Sequence, residues 1–175
     1  MKNSFDKGTA HALTSFIDPT VAWKDLVWLK SVTKLPIVLK GIQTAEDAVQ
    51  AFHAGVAGIV VSNHGGRQLD GALSSIKALP GIVEAVGDKI EVHMDGGIRS
   101  GQDVLKALAL GAKGTYIGRS HIYGLGAMGQ EGVRKSLELI HKELDISMAL
   151  CGHKRVQDLN RNTLLIPKGF AGDWE

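Results

Sequence analysis

A single cysteine, Cys151, in 175 residues provides no disulfide framework and no cysteine-based zinc site, and a reducing, cytoplasmic setting fits that count. An excess of one charge sign is missing as well. The net charge is +2 and the charged residues are interspersed, which argues against a nucleic-acid or membrane-surface partner. No apolar run approaches the roughly 18 to 20 residues of a membrane span, and no signal-peptide pattern is present. The histidines lack metal-ligand spacing: there is no HExxH, and His11, His53, His121, His141 and His153 have no cysteine partner, so no catalytic metal is expected. Proline is scarce at 4 residues, whereas glycine is abundant at 22. The glycines are not periodic, which excludes collagen, and they sit at the ends of apolar runs. Tight turns and close backbone approach to a ligand need residues without a Cβ at such places.

The length fits one domain with a real core, and 44% hydrophobic with 22% charged residues is an ordinary soluble composition. Four short apolar runs read as buried parallel strands: PIVLK (36–40), GIVVSN (58–63), IEVHMD (90–95) and GTYIG (114–118). Helical patterns lie between them. Thr44 and Ser100 are candidate N-caps, each with an aspartate three residues on and a glycine stop, Gly55 and Gly111. Further helices are expected over 74–86 and 130–150, and one opened by Asp18-Pro19-Thr20. Trp23 and Trp28 read as packing residues. Strands alternating with helices imply βα units and a parallel sheet covered by helices.

Every one of these strands runs into polar residues, and parallel βα architectures bind ligands at the C-terminal ends of their strands. DGGIRSG (95–101) and IGRS (117–120) place glycines beside Arg99 and Arg119. Glycine lets backbone N–H groups approach an anion, and a helix N-terminus and a guanidinium add positive charge. A phosphate site is the functional reading, and a glycine-rich turn with a solvated arginine is the structural one. Lys40, at the end of an Ile-Val-Leu strand, either snorkels to solvent or touches a ligand. In VVSNHGGRQLD (60–70), His64 is either a general base or a loop histidine bonded to backbone, and Arg67 has the bidentate geometry to hold a carboxylate. His93, within the third strand, reads as packed or next to a ligand.

LPIVLKGI, VSNHGGRQLDG, DGGIRSGQDVLKALALGAKG and IGR, in that order, resemble the FMN-dependent α-hydroxy-acid oxidase and dehydrogenase family, which includes glycolate oxidases and L-lactate and L-mandelate dehydrogenases. The resemblance implies a (β/α)8 TIM barrel with FMN at its C-terminal face, of which this chain carries the last four βα units. It implies oxidation of a small L-2-hydroxy acid to the 2-oxo acid, with His64 as base and Arg67 as the substrate carboxylate clamp. Lys40 would sit beside the flavin pyrimidine edge and Ser62 would contact FMN. Asp95, Gly96, Gly97, Ile98 and Arg99, with Gly118 and Arg119, would bind the ribityl chain and phosphate. Ser120 departs from the proline that many relatives carry there.

The expected division is a loop or tail over 1–17, half of an FMN-binding barrel over 18–165, and a C-terminal tail over 166–175. Half a barrel leaves apolar side chains on its inner face. The expected partner is therefore an N-terminal half-barrel, or a second copy of the chain, giving an oligomer. A non-catalytic half-barrel or fragment that binds phosphate or FMN is the alternative.

Overall fold

The computed structural model describes residues 18–170. The expected loop over 1–17, with His11, and the end of the C-terminal tail, 171–175, lie outside the described residues. The chain divides into two compact units, residues 1–35 and 36–175. In the first, Asp18 Oδ1 accepts hydrogen bonds from the Thr20 hydroxyl and the Thr20 N–H, at 2.7 and 2.8 Å. These bonds hold the Asp18 carboxyl below its ordinary range. The carboxylate thus closes a local turn instead of capping a helix. Helix α1 (Asp25–Val32) accordingly starts later than the Asp-Pro-Thr signal predicts. Its only buried residue is Leu26, and Trp28, expected to pack, is 65% exposed.

The second unit alternates β1 (Val38–Ile42), α2 (Ala45–His53), β2 (Gly58–Val61), α3 (Ser75–Val86), β3 (Glu91–Met94), α4 (Gly101–Ala109), β4 (Gly114–Thr115) and α5 (Arg119–Leu150). The strands form one parallel sheet in the order β1-β2-β3-β4. The caps are those the sequence predicts. Thr44 Oγ1 accepts from Asp47 N–H at 3.2 Å, and Ser100 and Asp103 form a reciprocal capping box. α3 buries Ser75, Ala78, Leu79, Ile82 and Val86, the spacing of one helical face. That face meets the outer side of the sheet, where Ile59, Val61, Val92 and Met94 are at most 1% exposed.

Two elements differ from the sequence reading. β1 continues past Lys40 to Ile42, with a register irregularity between those residues that re-aims the strand end. The last helix starts at Arg119 rather than at 130, and it is broken by non-helical backbone at Met128 and Gly129. The two pieces double back so that the Gly124 and Gly132 backbones touch, an approach only side-chain-free residues allow. No helix among the described residues is long and apolar enough to cross a membrane.

Ile82 is 1% exposed. Ile82→Ala is expected to destabilise the fold by about 2–5 kcal/mol, the cost of lost burial plus a residual cavity. A fall in the urea midpoint at unchanged slope would register this.

Candidate functional site

The strand ends converge on one cleft. Lys40 from β1, His64 and Arg67 from the loop after β2, Asp95 to Arg99 after β3, and Gly118 and Arg119 after β4 all line it. Ser62 does not. It is 2% exposed and lies behind the cleft wall, where its Oγ accepts from Lys40 Nζ and from His64 N–H, both at 3.0 Å. Lys40 also pairs with Asp95 Oδ2 at 2.9 Å. Of the two readings of this lysine, free snorkelling is therefore replaced by a fixed ammonium at the cleft edge. The sequence did not single out Tyr116, Ile117 and Ile122, which also line the cleft. The alternation of GTYIG into the cleft is the signal that could have found Tyr116.

The loop after β2 is held in an unusual shape. His64, Gly65 and Gly66 have φ of 53°, 65° and 72°. Left-handed backbone is routine for glycine and costs a residue with a Cβ on the order of 1 kcal/mol or more. The Ser62 hydroxyl compensates by fixing the His64 N–H, and Arg119 donates to Gly65 O at 3.0 Å, tying this loop to the one after β4. The result is that His64, Arg67 and Arg119 share one rim.

Behind that rim, Asn63 N–H donates to Ser75 Oγ at 3.1 Å. A Cβ built on Gly96 would lie 2.9 Å from both Asn63 Oδ1 and Ser75 Oγ, and Gly96 has a φ of +85°. Gly96→Ala is therefore expected to push the loop after β3 away from that after β2. Loss of affinity for a phosphate-bearing ligand, by roughly 5- to 150-fold for an overpacking strain of about 1–3 kcal/mol, would be read by ligand titration.

Asn63 Oδ1 and Asp95 Oδ1 are buried without a hydrogen-bond partner, a state that is costly unless a ligand donor completes it. A Cβ on Gly97 or Gly118 would meet nothing within 4 Å, so open space faces both glycines. The open helix end is not the one the sequence suggested. The N–H groups of Arg99 and Ser100 already bond Asp103 Oδ2 at 3.0 Å, and that of Gly101 bonds Glu143 Oε2 at 2.9 Å. α5, which starts beside Gly118, has no side-chain cap and opens on the cleft. A polyol and a phosphate fit these groups: an unpartnered carboxylate oxygen, two open glycines, and Arg99 and Arg119.

Successive βα units with a cationic, glycine-rich cleft at the C-terminal strand ends define part of a ligand-binding (β/α)8 barrel. The sequence pattern of FMN-dependent dehydrogenases matches residues 1–166, and the chain belongs to that family. It is 52% identical over 149 residues to the peroxisomal (S)-2-hydroxy-acid oxidase GLO4 of Oryza sativa subsp. japonica, covering 85% of this chain and 41% of that protein. It is 53% identical over 147 residues to an L-lactate dehydrogenase of Caulobacter sp. (strain K31), covering 84% of this chain and 39% of that one. A crystal structure of mandelate oxidase superposes with a TM-score of 0.83 at 47% identity, over 89% of this chain and 46% of that one. The chain thus spans about two-fifths of the length of the curated relatives it matches.

Proposed function

We propose that this chain forms the FMN- and substrate-binding half of an enzyme that oxidises a small L-2-hydroxy acid to the 2-oxo acid, acting together with an N-terminal half-barrel. One observation carries the reading: Lys40, His64, Arg67 and the two Gly-Arg loops, far apart in sequence, line one cleft. In this reading Gly97, Arg99 and the start of α5 at Gly118–Arg119 would hold the phosphate, and Asp95 Oδ1 would accept from the ribityl chain. The Lys40 ammonium, anchored by Ser62 and Asp95, would offer its positive charge to the flavin ring. FMN, when bound, supplies a two-electron acceptor.

The chain's own residues do the rest. Arg67 holds the substrate carboxylate through two parallel hydrogen bonds, which fixes C2 relative to His64. Oxidation of a 2-hydroxy acid removes two electrons and two protons from C2 and its oxygen. His64 accepts one of those protons, from the hydroxyl or from C2, and the other would leave with the electron pair to the acceptor or pass to solvent. The cleft has a volume of about 170 Å³, smaller than the roughly 300–1,000 Å³ of small-molecule sites. That supports a completing half, from a separate segment or a second copy, and an oligomeric active form. A cytoplasmic location belongs to the same proposal, supported by the lone free Cys151, although the rice relative carries a peroxisomal name.

Reconstitution with an N-terminal half-barrel of a family member tests the reading. Visible flavin absorbance is expected in the complex, bleached without oxygen by lactate, glycolate or mandelate. A complex that takes up no flavin would overturn the proposal. Bound flavin that no 2-hydroxy acid bleaches would favour a non-catalytic FMN-binding half-barrel.

A further inference from the structure

On β3, Val92 and Met94 face the helices, while Glu91 and His93 project from the opposite face. His93 Nε2 lies 3.1 Å from Glu91 Oε2, and His93 Nδ1 lies 2.9 Å from the Tyr116 hydroxyl. The His93 and Tyr116 rings are stacked, with centroids 5.6 Å apart and planes 23° apart. Gly114 makes room for this arrangement, since a Cβ there would lie 3.2 Å from the His93 ring. Tyr116 lines the cleft together with Lys40 and Asp95.

The direction of the hydrogen bonds follows from the chain's end. A carboxylate only accepts, so His93 Nε2 carries a proton. In the neutral ring Nδ1 is then bare and accepts from the Tyr116 O–H. The phenol hydrogen is committed to His93, and the oxygen lone pairs are left to accept a donor from the cleft. Tyr116 stands two residues before Gly118, about 6.6 Å along an extended chain. A ligand group that meets Tyr116 is therefore one step inward from the Gly118–Arg119 loop. In a nucleotide whose phosphate sits at that loop, this is the polyol chain, whose hydroxyls donate.

We infer that Glu91 and His93 hold Tyr116 as a hydrogen-bond acceptor for a ribityl hydroxyl of bound FMN. Tyr116 is a binding residue, and His93 and Glu91 are positioning residues that set its polarity. The inference rests on the FMN reading above and adds to it a site on the sheet face, one step inward from the Gly118–Arg119 loop.

The test uses the reconstituted complex and FMN titration by flavin fluorescence. Tyr116→Phe is expected to weaken FMN binding about three- to tenfold, the equivalent of one lost hydrogen bond. His93→Leu should cost a similar factor, and the double variant no more than either alone, because all break one relay. Glu91→Gln, whose amide carbonyl still accepts from Nε2–H, should keep the affinity, while Glu91→Leu should lose it. At about pH 8, above the ordinary histidine range, the ¹⁵N spectrum of the His93 ring should show a protonated Nε2 and a bare Nδ1. Unchanged FMN affinity in Tyr116→Phe, losses that multiply in the double variant, or a protonated Nδ1 would each overturn the inference while leaving the FMN reading intact. A wild-type complex that binds no FMN would overturn both.

Discussion

His64→Gln in the reconstituted complex is expected to slow substrate-driven flavin reduction by about 10²- to 10⁴-fold, the range attributed to a positioned general base. FMN should stay bound, because the groups assigned to it lie on β1 and on the loops after β3 and β4. Glutamine has a similar length and bonds well to water, but it accepts no proton near neutral pH. The backbone complicates the experiment, since position 64 has a φ of 53°. Asparagine tolerates left-handed backbone better than most residues, so His64→Asn is the companion variant. Both should lose turnover together, while the melting temperature tracks only the backbone change. Substrate-driven reduction that survives in both variants would remove His64 from the role of base. Stopped-flow reduction by lactate, glycolate or mandelate gives the rate directly.

Arg67→Met is expected to lower kcat/KM for a 2-hydroxy acid by roughly 10²-fold or more, since each hydrogen bond to a charged group is worth about 1.5–3 kcal/mol and two would be lost. Arg67→Lys should recover only part of this, because an ammonium keeps the charge without the planar fork. FMN affinity should not change, and inhibition by the 2-oxo acid product should weaken by a similar factor. Equal losses in FMN and substrate binding would mean that Arg67 shapes the loop after β2 and does not hold a carboxylate. Arg119, whose guanidinium bonds Gly65 O across the cleft, is the control: its removal should loosen both ligands.

Much of the fold is legible in the amino-acid sequence. Thr44 and Ser100 announce their helices because a cap acts within a few residues, and Asp47 and Asp103 stand at the matching positions. The strands are legible as short apolar runs because the side chains that face the helices, such as Ile59, Val61, Val92 and Met94, must be apolar. The partners across the sheet are not legible. Lys40 meets Ser62 at the end of β2 and Asp95 at the end of β3, and only the register of β1, β2 and β3 brings them together. Glu143 reaches the start of α4 from 42 residues along the chain. It occupies a helix end that a local reading leaves open to an anion. α1 is the opposite case, a strong local signal at Asp18 that the chain uses for a turn.

Periodicity, caps and turn glycines are local properties, so the parallel βα order, the loops that carry the chemistry and the residue types in them can be read along the chain. The sequence also carried the resemblance that the family match bears out. Which of those residues act on each other emerges with the folded sheet. It set Ser62 behind the cleft rather than in it, opened α5 in place of α4, and joined His93 to Tyr116 through the pairing of β3 with β4. The reason is physical: a hydrogen bond needs about 3 Å, and strand register alone sets which distant side chains come that close.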